Sequence, residues 1–295
     1  MQILPAPEAY SANSGILRIR LICGKSQNLM PPRIDMMKLP YSILLAVLSL
    51  ASSPQAGAQT DVLPNLGGLH IALDVGHSQA AGGALSARGR FEFEFNQATA
   101  RTIATVLRTA GAKVTIINEN GDMTGLAERP ITAVRIGADA FLSIHHDSAN
   151  DKYMKTWVTD GTPRPYCDQF SGYSVFCSKD NWKASQSRTL AKQVGAAMLG
   201  AGFKPTPHHH EAIPGENRPF IDEATGVYEF TELVVVRSAK LPSVLLECGV
   251  IVNRDEELLV QTEAYQKRIG MAVANGLAAA KEQGIFKRFP WFWSR

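Results

Sequence analysis

The sequence is poor in cysteine, with four in 295 residues, and no two of them form a Cys-x-x-Cys pair. That scarcity excludes a disulfide-built scaffold and leaves no zinc ribbon or dithiol redox motif. Charge is scarce too: 19% of residues are charged and the net value is +3. Such a balance excludes a disordered polyelectrolyte and carries no nucleic-acid footprint. No internal repeat is visible. What remains is a chain that is 45% apolar, with ample core for one large domain or two small ones.

The first fifth of the chain reads differently from the rest. Lys38 precedes an apolar run from Tyr41 to Ala51, and Ala56-Gly-Ala58 supplies a small-x-small end. This is the pattern of a secretory signal peptide over 36–58, with the mature chain starting at Gln59. The run is marginal for a bilayer span and Ser52-Ser-Pro54 breaks it, so no stable membrane span is expected after cleavage. Positions 1–35 hold Pro5, Pro7, Pro31 and Pro32 without amphipathic period. Met36 or Met37 is the better start, and 1–35 reads as a gene-model extension or a disordered segment. Removing the five basic and two acidic residues of 1–58 from 30 and 27 leaves 25 of each. The excess positive charge therefore belongs to the leader. Export to the periplasm or beyond permits a Cys167–Cys177 disulfide, with Cys248 a buried thiol in an apolar strand.

Beyond the leader, apolar runs and helical periods alternate. Strands are expected at 70–75, 113–117, 140–144, 172–176, 233–236 and 243–246. Helices are expected from the Glu92 region to Gly111, over 125–137, over 184–200 and over about 254–280. The last would be capped by Asn253 and bury Leu258, Tyr265, Ile269, Ala272 and Val273. Polar loops fill 147–170 and 204–226, and an aromatic and basic tail occupies 283–295. The order predicts an α/β single domain over 59–282: a mostly parallel twisted sheet with helices on both faces. In such sheets ligands bind at the carboxyl ends of the strands. His77, His145 and Glu247 each follow an apolar strand run, so they converge there.

Two imidazoles with a carboxylate from the intervening segment suit a catalytic zinc ion. Either Glu92 or Glu94 supplies that carboxylate on spacing alone. Four segments occur in order: Leu73-Asp-Val-Gly-His77, Glu92-Phe-Glu-Phe-Asn96, Phe141-Leu-Ser-Ile-His145 and Leu246-Glu-Cys-Gly-Val250. Together they resemble the signature segments of the zinc-dependent N-acetylmuramoyl-L-alanine amidases of the amidase-3 family, over about 69–280. The resemblance implies that His77, Glu92 and His145 hold one Zn2+ and that Glu247 is the general acid/base. Glu92 is preferred because the family's ligand precedes an asparagine by four residues, as Glu92 precedes Asn96. It further implies hydrolysis of the amide between N-acetylmuramic acid and L-alanine in peptidoglycan.

The chain departs from the family at Val75 and Ser78, where proline and glycine are common, and at His146, where a small residue is usual. Strand alternation lets only one of His145 and His146 face the metal. In the 204–226 loop, Arg218 could grip a stem-peptide carboxylate, with His210 and Asn217 beside it, or the loop could simply be solvated. Its His208-His-His-Glu211 run could also collect a second metal. A protein activator is a possible partner, since regulated family members occlude their zinc. The competing functions are a catalytically silent wall-binding homologue and a zinc hydrolase of another exported amide.

Overall fold

The computed structural model describes residues 62–286; the expected signal peptide, the segment before it and most of the aromatic tail lie outside those residues. A seven-stranded sheet in the order β2-β1-β3-β9-β6-β8-β7 forms the frame. Its strands are β1 (His70–Val75), β2 (Lys113–Ile117), β3 (Ala140–Asp147), β6 (Ser174–Cys177), β7 (Phe220–Asp222), β8 (Val227–Glu229) and β9 (Ser243–Val250). Pairing is parallel from β2 through β9 and between β6 and β8. It is antiparallel where β6 meets β9 and β7 meets β8.

Strand alternation sends side chains to two cores. Ile71, Leu73 and Val75 of β1 pack with Ile103 and Leu107 of α1 (Glu92–Thr109). The same core takes Leu190 and Val194 of α3 (Ala184–Gly200) and Ile269 and Val273 of α6 (Glu263–Glu282). The opposite face carries Ala72, Phe141 and Leu245, covered by Ala133 of α2 (Glu128–Arg135) and Val235 of α4 (Val234–Arg237). Helices thus cover both faces, as the alternating pattern predicts. α3 and α6 cross closely at Gly276, where an added Cβ would lie 2.8 Å from Val194 Cα. No helix among the described residues is long and apolar enough to cross a membrane.

Several expectations need correction. Leu233–Val236 is not a strand: Val234–Arg237 is one helical turn, and Val235 and Val236 are buried beneath the sheet. A four-residue apolar run satisfies either period, and burial overrides β-propensity here. The strand role passes to Val227–Glu229, which pairs with β6. The segment 147–170 is not wholly irregular, because β4 (Lys155–Thr159) and β5 (Thr162–Tyr166) form a two-stranded ribbon. The last helix is broken into α5 (Glu256–Val260) and α6, the latter capped by Thr262 Oγ1, which accepts from Tyr265 N at 3.3 Å. Asn253 does cap the first piece, accepting from Glu256 N at 3.0 Å, but Leu258 lies 49% exposed, outside the buried stripe. Cys167, Cys177 and Cys248 are all free and buried, so the permitted disulfide is not formed.

Candidate active site

β1 and β3 bring two histidines to the same end of the sheet by different means. β1 ends at Val75, and Gly76 and His77 turn away, with His77 in the left-handed region at φ 65°. A Cβ on Gly76 would run into the His145 ring, so the close approach requires glycine. β3 instead continues through His145 to Asp147, because pairing with β9 persists past the expected end. His145 and Glu247 are register partners in that pairing, with an irregularity between His145 and Asp147. Both therefore lie inside strands rather than just after them.

The first turn of α1 delivers the carboxylate. Glu92 is 4% exposed; its Oε2 lies 2.8 Å from His77 Nε2 and its Oε1 lies 2.9 Å from His145 Nδ1. Asn96 Nδ2 donates to Glu92 Oε1 at 3.0 Å and the His146 amide donates to it at 3.2 Å. Burial opposes ionisation of Glu92, but His145 and His77 overcome it and hold its carboxyl well below the ordinary range. The ligand atoms of His77, Glu92 and His145 all fall within 4.8 Å of one another. That donor set, two imidazoles and one carboxylate, fits a zinc ion with three protein ligands. Glu94 lies outside the cluster, with its side chain 49% exposed and paired with Arg90 at 3.2 Å.

His146 points to the other face, as strand alternation requires. It is 1% exposed, sits 5.8 Å from the Phe95 ring, and its Nδ1 lies 2.9 Å from Asn96 Oδ1. Burial pushes its imidazole down to about 3, so it is neutral. Asn96 therefore ties the Glu92 carboxylate to the neighbouring His146 imidazole through its two ends.

Glu247 is the chemically poised group. Its Oε2 is buried and has no hydrogen-bond partner. Burial first, then the carboxylates of Asp147 and Glu92, push its carboxyl well above the ordinary range. A carboxyl group raised in this way holds its proton to higher pH than an ordinary glutamate and is suited to proton transfer.

The three loop residues with expected substrate contacts are arranged among themselves. His210 is exposed, with Nδ1 2.9 Å from the Arg218 carbonyl and its ring 4.6 Å from Phe220. Arg218 donates to the carbonyls of Glu216 and Gly215 at 2.6 and 2.8 Å and stacks over Phe230 at 3.8 Å. Asn217 between them is exposed at a left-handed φ of 69°.

One residue carried no functional signal in the sequence. Arg129 is 1% exposed, and its guanidinium donates to the carbonyls of Val75, His77 and Met123 at 3.1, 2.5 and 2.7 Å. Its charge meets Asp74, 3.5 Å away and fully buried, which also accepts from Ser143 Oγ at 2.6 Å. The segment carrying His77 is thus held by a buried cation together with Asn118, whose Nδ2 donates to the Val75 and His77 carbonyls at 2.7 Å.

The family described as N-acetylmuramoyl-L-alanine amidase, Amidase_3, matches residues 71–279. The N-acetylmuramoyl-L-alanine amidase AmiA of Salmonella typhimurium is 26% identical over 283 residues, covering 84% of this chain and 90% of its own. The N-acetylmuramyl-L-alanine amidase Ami1 of Mycobacterium smegmatis superposes with a TM-score of 0.59 at 20% identity, over 74% of this chain and 99% of its own. The CwlD amidase of Clostridioides difficile, solved in complex with the GerS lipoprotein, gives 0.55 at 20% identity, over 73% and 99%. At such identities the two structures speak for the fold alone.

Proposed function

The chain belongs to the Amidase_3 family of N-acetylmuramoyl-L-alanine amidases, and from that premise we propose that it is an exported zinc hydrolase of peptidoglycan. It cleaves the amide joining N-acetylmuramic acid to L-alanine. The observation that carries the reading is Glu247 Oε2, buried without a partner in the strand register beside His145. A free carboxylate oxygen next to a His–Glu–His donor set is what hydrolysis of an amide needs.

His77, Glu92 and His145 are the residues that would hold the metal. The chemistry zinc supplies in such a set is Lewis acidity, which eases deprotonation of water at neutral pH and polarises a carbonyl. Glu247 takes the proton of the attacking water at Oε2 and returns it to the nitrogen of the leaving L-alanine. Asn96, donating to Glu92 Oε1, keeps that carboxylate turned toward the two imidazoles. In the loop, His210, Asn217 and Arg218 remain the proposed contacts to the stem peptide.

Export rests on the leader: residues 36–58 are removed as a signal peptide, residues 59–282 form the catalytic domain and 283–295 are an aromatic and basic tail. The periplasm or the cell exterior, where the wall lies, is the proposed site of action. N-terminal sequencing of the exported protein is expected to begin at Gln59, and retention of residue 36 would overturn this.

The catalytic reading is tested by incubating the zinc-loaded protein with intact peptidoglycan and identifying products by mass spectrometry. Free stem peptides beginning at L-alanine, absent after chelation, are expected. Fragments cut at another bond would sink the substrate. No release at all would sink a self-sufficient enzyme and favour dependence on a protein partner, CwlD having been solved with a lipoprotein bound.

A further inference from the structure

We propose that Asp147, His208 and His209 form a second divalent-metal site, separate from His77, Glu92 and His145, which takes a zinc-type transition cation. It clips the polar loop after α3 to the end of β3. This inference stands whether or not the first set holds zinc.

The donors converge on one point. His209 Nε2 lies 2.7 Å and His208 Nε2 3.3 Å from the same oxygen, Asp147 Oδ2. The ligand atoms fall within 4.8 Å of one another, the same compactness as in the His77–Glu92–His145 set. All three residues are at most 9% exposed. Two imidazoles and a carboxylate favour zinc and its first-row neighbours over calcium or magnesium, which prefer all-oxygen shells.

The surroundings fix both imidazoles in a ligating pose. His209 Nδ1 lies 2.9 Å from Glu216 Oε2, and His208 Nδ1 lies 2.7 Å from Thr206 Oγ1. Metal-binding histidines characteristically give their other N–H to such an acceptor, which sets the tautomer and leaves the inward nitrogen as a lone pair. The Thr206 carbonyl is itself held by Tyr228 Oη at 2.6 Å. The His208 ring is stacked on Phe170 at 4.8 Å and set against His209 at 4.0 Å, so neither ring is free to swing.

A metal-free account covers only half of this. His209 could be an imidazolium clamped between Asp147 and Glu216: burial disfavours its charge, but the two carboxylates overcome that and push it up to about 9. His208 is left over. Its Nε2 is buried, only 2% of the residue is exposed, and it makes no hydrogen bond although it faces the Asp147 carboxylate. An orphaned ring nitrogen aimed into a histidine–carboxylate cluster is what a bound cation satisfies.

The test is metal stoichiometry of the full chain, stripped with chelator, then dialysed against dilute Zn2+ and analysed by mass spectrometry. Wild type is expected to bind two equivalents, while His77→Gln and His208→Asn each retain one. Cobalt in place of zinc should give His77→Gln a visible absorption spectrum of an imidazole–carboxylate site. A single wild-type equivalent that His77→Gln abolishes would overturn the second site. A single equivalent that survives His77→Gln and is lost in His208→Asn would keep it and instead sink the first set as a metal centre. Should His208→Asn fail to fold by circular dichroism, His77→Gln decides alone: one equivalent supports the proposal and none overturns it. Zinc that survives both substitutions together sits elsewhere and also overturns it.

Discussion

His145 and Glu247 are register partners across the parallel β3–β9 pair, so their side chains leave the same face of the sheet at the same height. The site thus inherits its spacing from backbone pairing in the middle of the sheet rather than from a loop. A carboxylate built on a central strand is positioned by the whole core beneath it.

That relationship predicts the outcome of replacing Glu247 by glutamine, which keeps the shape and removes the proton-accepting oxygen. Release of stem peptides is expected to fall about 100- to 10,000-fold, the usual worth of a general acid/base. Zinc content and the circular dichroism spectrum are expected to stay as in the native chain. Activity within a few-fold of native would remove Glu247 from the chemistry, whatever the fate of the metal.

The two glutamates of the first turn of α1 are predicted to separate cleanly. Glu92 is buried against two imidazoles and an asparagine, whereas Glu94 pairs with Arg90 on the surface. Glu92→Ala is expected to lose the zinc equivalent held with His77 and His145. Glu94→Ala removes an exposed i,i+4 pair and part of the helix start, where Glu94 Oε1 accepts from Phe91 N at 3.3 Å. Its cost is about 1 kcal/mol or less, with activity intact. Metal analysis and urea melts of both variants check this, and equal metal loss in the two would contradict it.

Arg129 is expected to matter for the metal although it is no ligand. Removing one partner of a buried ion pair strands the other, here Asp74, leaves the Met123 carbonyl without its donor, and leaves those of Val75 and His77 to Asn118 Nδ2 alone. Arg129→Met should cost about 3 to 5 kcal/mol of stability. It should also weaken zinc binding, because the left-handed turn at His77 loses one of its two side-chain anchors and keeps only Asn118. If the variant folds, a zinc titration reads the second effect independently of the first; unchanged affinity would reduce Arg129 to a stability role.

How much of this was legible in the sequence depended on the range of the contacts. β1, α1, β2, α3 and the core of β9 announce themselves through local period, and the family resemblance carried by the four motifs points to His77, Glu92, His145 and Glu247. β4 and β5 were hidden because Pro163 and Pro165 argue against a strand; a two-stranded ribbon tolerates proline on its open edge. Arg129 was hidden for another reason. A basic residue beside a proline reads as surface, and its burial is decided by carbonyls 52 and 54 positions away. The convergence of His208 and His209 on Asp147 likewise spans some sixty residues, so the histidine run suggested a metal with the adjacent Glu211, which instead accepts from Tyr153 Oη.

Glu256 gives the fold a pH dependence whose sign follows from its surroundings. Burial pushes its carboxyl up to about 7, against the pull of the Val250 and Gly172 amides that donate to it at 2.9 Å. Asp147 adds to the rise and Tyr265 opposes it. The folded value is thus raised above the ordinary 4.5, so between those two pH values the folded chain binds more protons than the unfolded one. The stability contributed by Glu256 is complete below pH 4.5 and is lost as pH rises through 7, about 3 kcal/mol in all. Glu256→Gln can still accept from both amides through one oxygen but does not titrate. Denaturant melts at pH 4.5 and pH 7.5 should therefore show the native chain losing stability relative to the variant. Because His146, held low, gains stability over this window while His209 and Glu247, held high, lose it, only this difference between the two proteins is diagnostic. Parallel pH profiles would mean that Glu256 stays ionised throughout, its two amide donors outweighing its burial.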